Sequence, residues 1–318
     1  MDPYFDSTLW TWFLILCSRV CSGAIVDPTP DEIQFIVMGL FAVGASFLGV
    51  FLVLKKLTMM TNALSHTMML GIVVAIIATR VWGSESAYPV SAPGWAIVCA
   101  ALVTSSLTGY LIQRLTSVRV IKEDASNAMV FSALFALAVT ILSVWTRNTN
   151  AGAELLMGDP DALEASDIPI VFGTTCCTIF LGMVLLRGLT MAIFEPTFAT
   201  VAGFRPFLFM HGLVFMAALT SVSAFRAVGF VMTLTFFVTP PLISRLWAHT
   251  VWHQLVASSA IGLGAVAFSV ALSRHLLTVY ALPVSTGALA AIVLALFYVI
   301  AIVTTQVVAS CSRKCIGP

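Results

Sequence analysis

Asn62 and His66 stand four residues apart in the segment Thr61-Asn62-Ala63-Leu64-Ser65-His66-Thr67, so a helix sets both on one face. A neutral imidazole is the commonest side-chain ligand for transition metals, and a partner at i, i+4 can share an ion with it. The same residues can equally serve as hydrogen-bonding groups between helices, and residue type alone leaves that choice open. An amide oxygen is also a weaker metal ligand than a carboxylate. His211, alone in an apolar run, reads as a packing residue. His249 and His253 are a second i, i+4 pair, but they sit beside Arg245 and read as a solvated helix terminus.

The stretch Phe194-Glu195-Pro196-Thr197-Phe198-Ala199-Thr200-Val201-Ala202-Gly203 has a different character. Pro196 suits the first turn of a short helix, Glu195 its N-terminus and Gly203 its end. Such a helix between two longer ones could dock a soluble partner. Pro240-Pro241, downstream of Gly229, is expected to break an apolar helix, because proline removes a backbone hydrogen bond. Broken helices in membranes line a cavity or pack within protein, and either role suits this one. The seven cysteines include two C-x3-C pairs with no second Cys or His pair, so they read as small buried hydrophobes rather than zinc ligands. No G-x-x-x-x-G-K-[ST] loop, no H-E-x-x-H and no G-x-S-x-G nucleophile turn is found, which argues against ATP hydrolysis or an intramembrane enzyme.

The elements that carry these residues are dictated by composition. Hydrophobic residues make up 60% of the 318-residue chain, charged residues 9%, and mean hydropathy is +1.04. A soluble domain is about 25% charged, and a hydrocarbon layer about 30 Å thick takes about 20 apolar residues per helix. The expected fold is therefore all-α, a polytopic transmembrane bundle of nine or ten spans forming one domain over residues 1–318. The spans are expected near 8–25, 33–54, 63–82, 93–113, 127–146, 168–187, 204–225, 227–247, 251–273 and 283–309. Residues 1–26 look like a signal peptide only at first glance. Asp2 and Asp6 precede the apolar stretch and Arg19 interrupts it, so an additional retained span is expected.

Ten spans put both termini on one side. Ten of the 15 Lys and Arg residues then share that side, including Lys55, Lys56, Arg187 and Arg205, against four opposite. By the positive-inside rule that side is the cytoplasm. Asp31, Glu32, Asp161, Glu164 and Asp167 fall outside. Those acids could concentrate cations at an outer mouth, or they could simply keep the loops wet, which is the preferred reading. A net charge of +1 offers no basic stripe for nucleic acid.

Taken in order, these motifs resemble the membrane permeases of bacterial manganese, zinc and iron ABC importers. The segment 61–67 is similar to that family's Gly-Asp-Ala-Leu-Ser-His-Ala, and 49–57 to its Gly-x-Phe-x-Val-Leu-Arg-Arg approach. Lys122-Glu123-Asp124-Ala125 followed by Phe131-Ser132-Ala133-Leu134-Phe135 also fits. So do Leu156-Met157-Gly158-Asp159, Glu195-Pro196 with Ala199 and Gly203, and Val228-Gly229 through Thr239-Pro240-Pro241. The resemblance runs from about residue 33 to 300.

It implies a permease subunit in the inner membrane, without a tightly bound cofactor, for which the divalent metal ion is the transported substrate. Its implied partners are a cytoplasmic ATP-binding cassette ATPase, a second permease as homo- or heterodimer, and a periplasmic or lipoprotein solute-binding protein. His66 and Asn62 are the implied metal residues. Residues 188–203, with Glu195, Pro196, Ala199 and Gly203, are the implied cytoplasmic ATPase-coupling segment. Asn62 stands where the family has Asp. Either a non-identical permease supplies the missing carboxylate, which is the preferred reading, or Asn62 binds through its carbonyl oxygen. The rival reading is an ATP-independent secondary transporter or channel, which would more typically carry several carboxylates within its spans.

Overall fold

An apolar segment in lipid must satisfy its own backbone hydrogen bonds, and a helix does so within itself. The structure is a computed structural model that describes residues 9–22, 29–82, 94–117, 122–146, 160–228, 230–282 and 284–315. In chain order the helices are α1 (Leu9–Ser22), α2 (Pro30–Lys55), α3 (Thr58–Trp82), α4 (Gly94–Ser117), α5 (Glu123–Thr146), α6 (Ile168–Phe194), the short α7 (Pro196–Val201), α8 (Pro206–Val228), α9 (Phe230–Trp247), α10 (Val251–Tyr280) and α11 (Thr286–Cys315). Each expected span holds one helix, the first of them only 14 residues long. Seven of these are long and apolar enough to cross a membrane, among the described residues. The protein is a multi-pass, all-helical membrane protein.

The most enclosed of those seven is α2, and its sequence explains both of its ends. Thr29 stands at the N-cap position and Pro30 fills the first turn, while Glu32 accepts the Thr29 N–H at 3.0 Å. Lys56 adopts φ +63°, in the left-handed region, which lets Leu57 N–H reach Leu52 O at 2.8 Å and closes the helix. Between these ends α2 packs on α6, α8, α9 and α10. Phe41 meets Phe236 and Phe237 of α9 edge-on at 5.9 and 6.5 Å. Thr175 of α6 donates to Leu40 O at 3.2 Å, and Ser258 of α10 to Ser46 O at 3.0 Å.

The proline pair does not interrupt α9, which continues through Pro240 and Pro241 to Trp247. Proline at 241 deprives Phe237 O of its usual N–H partner. That oxygen faces Gly49 of α2, where an added Cβ would lie 2.1 Å from Phe237 O and 2.8 Å from the Pro241 ring. The glycine lets the α2 backbone close over the freed carbonyl, as small residues do where membrane helices touch. Three of the cysteines depart from the buried reading. Cys99, Cys176 and Cys177 are exposed free thiols on the outward faces of α4 and α6, because in a bilayer an apolar side chain has no reason to turn inward. The side chains of the other four lie outside the described residues, as do the motif at 156–159 and Gly229.

α1 has 14 residues and rises about 21 Å at 1.5 Å per residue. Trp12 is fully buried, edge-on to Phe13 and to Phe35 of α2. Arg19, the charge inside the first apolar run, is paired with Glu32 of α2 at 2.6 Å. At this end of the bundle the segment 160–167 folds into two short 3-10 turns. Gln34 and Thr286 both donate to Asp161, at 2.7 and 2.6 Å, and Arg274 pairs with Asp31 at 2.9 Å. These groups surround an open cavity of about 490 Å³ and tie α2, α10 and α11 to the turns. α2 and α6 run side by side in the same direction, since Thr175 meets Leu40 and Gly182 meets Phe47. The Lys55 and Lys56 end of α2 therefore lies at the same end of the bundle as α7, opposite the acidic turns.

Candidate metal-translocation site

α3 positions both candidate ligands. It packs on α4, α5, α8 and α9, and its hydroxyl side chains are satisfied mostly at close quarters. Ser65 donates to Thr61 O at 3.0 Å and Thr67 to Ala63 O at 2.9 Å, while Thr108 of α4 donates to Thr67 Oγ1 at 2.8 Å. An added Cβ at Gly71 would lie 2.5 Å from Ala100 O, so α3 and α4 pack almost backbone to backbone. Asn62 and His66, both half-buried, share one face of α3 one turn apart.

His66 meets α5. Its ring lies 5.2 Å from Phe131 and 5.6 Å from Phe135, and those two rings stack on each other at 5.6 Å with a 25° interplanar angle. One turn before Phe131, on the same face of α5, stands Asn127, buried to 6% exposure. Reading the sequence from His66 missed all three as site residues, although Phe131 and Phe135 belong to a motif noted above. The available signal was the four-residue spacing of Asn127, Phe131 and Phe135, which puts a polar group and two aromatics on one helical stripe. Among the described residues no three His, Cys, Asp or Glu side chains gather in one place.

The other histidines stand elsewhere. His211 is half-buried on α8, with Nδ1 2.8 Å from Phe207 O and its ring 3.9 Å from Phe207 and 6.0 Å from Tyr110 of α4. His249 and His253 are exposed, and Thr250 caps α10 by accepting the His253 N–H.

At the opposite end of α6 the chain turns at Glu195, forms α7 and leaves through Gly203 at φ +84°. Ala199 is fully buried beneath this helix, and its carbonyl accepts Phe204 N–H at 2.9 Å. Glu195 and Pro196 are exposed. Phe194, Phe198, Val201, Phe207 and Leu208 are each at least 59% exposed, so five apolar side chains cluster on and beside one turn of helix. Helix α7 and the His66 face thus lie at different levels of the bundle, joined through α8, which packs on α3, α6 and α7.

The description "ABC 3 transport family" matches residues 33–305. A "Probable metal transport system membrane protein" of Chlamydia trachomatis serovar D is 34% identical, covering 99% of this chain and 96% of the relative. The manganese transport system membrane protein MntD of Bacillus subtilis is 30% identical over 70% of this chain and 76% of its own. Among solved structures, PsaBC from Streptococcus pneumoniae in complex with Fab superimposes with a TM-score of 0.70 at 20% identity, covering 88% of this chain and 93% of that one; it shares the fold. The helical bundle, the order of its motifs and a family match spanning nearly the whole length place this chain in the ABC 3 transport family of membrane permeases.

Proposed function

We propose that this chain is the membrane-spanning permease of an ATP-driven importer for a divalent transition metal, manganese or zinc first and iron next. The observation that carries the reading is the family match over residues 33–305 combined with a His–Asn pair inside the bundle. A solute-binding protein delivers the ion to the acidic end, where Asp31 and Asp161 line the open cavity. The ion then passes along the α3 face, where the imidazole of His66 and the amide oxygen of Asn62 replace part of its hydration shell. An imidazole suits zinc and iron and a carbonyl oxygen suits manganese, so this mixed pair discriminates little among the three.

The ATPase docks at α7. Phe198 and Val201 are 59% and 85% exposed there, and apolar side chains on a helix outside the membrane call for a protein partner. Glu195, Pro196 and Gly203 fix the start and end of that helix, and Ala199 lets it lie flat on the bundle. Its motion reaches the ion path through α8. The positive-inside rule puts α7, Lys55, Lys56 and both termini on the cytoplasmic side of the inner membrane. A second permease completes the transporter. The outward face of α5 carries Ala128, Ser132, Ala136 and Thr140, the small and hydroxyl residues that suit helix–helix contact in lipid. A non-identical partner bearing a carboxylate would make good the acid absent at Asn62.

Uptake of metal into vesicles holding the chain, its ATPase and any second permease tests this reading. ATP-dependent uptake should be lost in His66→Ala while the complex still assembles. Uptake that persists without the ATPase would make the protein an ATP-independent carrier instead.

A further inference from the structure

Asn62 and His66 are a sparse donor set, since first-row divalent metals take four to six ligands. No cluster of three His, Cys, Asp or Glu stands among the described residues, so the further donors to seek there are amides, hydroxyls and backbone carbonyls. α5 offers one. It runs parallel to α3, because His66 meets Phe131 and Phe135 while Val73 shares a cluster with Ala138 and Leu142. Asn127 is one turn before Phe131 and Asn62 one turn before His66, so both amides lie on the same side of the imidazole, toward the Lys55 end of the bundle.

Asn127 is 94% buried (6% exposed), and its Oδ1 has no hydrogen-bond partner among the described residues. Thr61 Oγ1, next to Asn62, is likewise buried and unpartnered. A buried amide carbonyl left unsatisfied is destabilising, a cost that an apolar side chain at 127 would avoid. An oxygen kept dry and unpartnered at this level suits a ligand that comes and goes.

We propose that Asn127 joins Asn62 in an amide-oxygen site for a divalent metal cation, the step after His66 on the way to the cytoplasm. The inference rests on the reading of His66 and Asn62 as the ion path. Neutral carbonyl oxygens hold a hard dication through their dipoles alone, so the ion is bound without the charge pairing that would retain it. Such a step favours release toward the α7 side.

The test uses the full-length chain in lipid nanodiscs and Co²⁺ as probe, read by its d–d absorption during titration. Wild type should bind, and His66→Ala should weaken binding. Asn127→Leu should weaken it by about tenfold or more, the scale on which even outer-shell partners of metal sites act. Asn127→Asp should tighten it by a similar factor and change the spectrum. Wild-type affinity in Asn127→Leu, with His66→Ala impaired, overturns the role of Asn127 and leaves His66 on the path. No change in either variant overturns both, as does a wild type that does not bind. Should Asn127→Leu fail to fold, unchanged affinity in Asn127→Asp is the overturning result.

Discussion

Gly49→Ala is the substitution whose consequence the packing defines most sharply. The added Cβ would stand 2.1 Å from Phe237 O and 2.8 Å from Pro241 Cγ. A carbon approaches a carbonyl oxygen to about 3.3 Å at the closest, so α2 and α9 have to separate by roughly 1 Å. Neither obstacle is a flexible side chain: one is backbone and the other a ring locked into it. Overpacking a tight core costs about 1–3 kcal/mol, and the rigidity of both partners puts this site at the upper end. Replacing glycine by alanine within a helix returns about 1 kcal/mol, leaving a net loss of about 2 kcal/mol. Gly264→Ala is the matched control, because nothing lies within 4 Å of a Cβ there; only the helix-propensity gain applies. Equilibrium unfolding of the purified protein in mild detergent with added SDS should therefore move in opposite directions for the two variants. Equal shifts, or a stabilised Gly49→Ala, would refute the account of α2 closing over the carbonyl that Pro241 leaves without a donor.

Two further outcomes follow from other parts of the structure. Glu32→Ala removes the partner of Arg19 and the acceptor of Thr29 N–H together; the same unfolding assay should show a loss of about 2 kcal/mol, the scale of a charge-assisted hydrogen bond. Phe198→Asp sits on exposed α7 surface, so stability should change by under about 0.5 kcal/mol while copurification of the ATPase falls sharply; undiminished copurification would move the docking surface elsewhere.

Much of this architecture was readable in the sequence because bilayer thickness imposes a length and helix geometry imposes a face. The apolar runs mark every long helix, and Asn62 and His66 had to share a side of α3 by spacing alone. The sequence also bounded α7 between Pro196 and Gly203, since one residue fixes φ near the helical value and the other tolerates φ +84°. Relations between helices were not readable, because lipid and protein present similar apolar surroundings and hydrophobicity no longer tells inside from outside. Hence Cys176 and Cys177 face outward, and Pro240-Pro241 stays helical because Gly49, about 190 residues earlier, makes room. Arg19 finds Glu32, and Gln34 and Thr286 converge on Asp161, through pairings no local spacing encodes. His66 lies against Phe131 and Phe135, one turn from Asn127, for the same reason. Spacing placed each polar group on its own helix; only the packing of α3 against α5 decided which groups an ion would meet together.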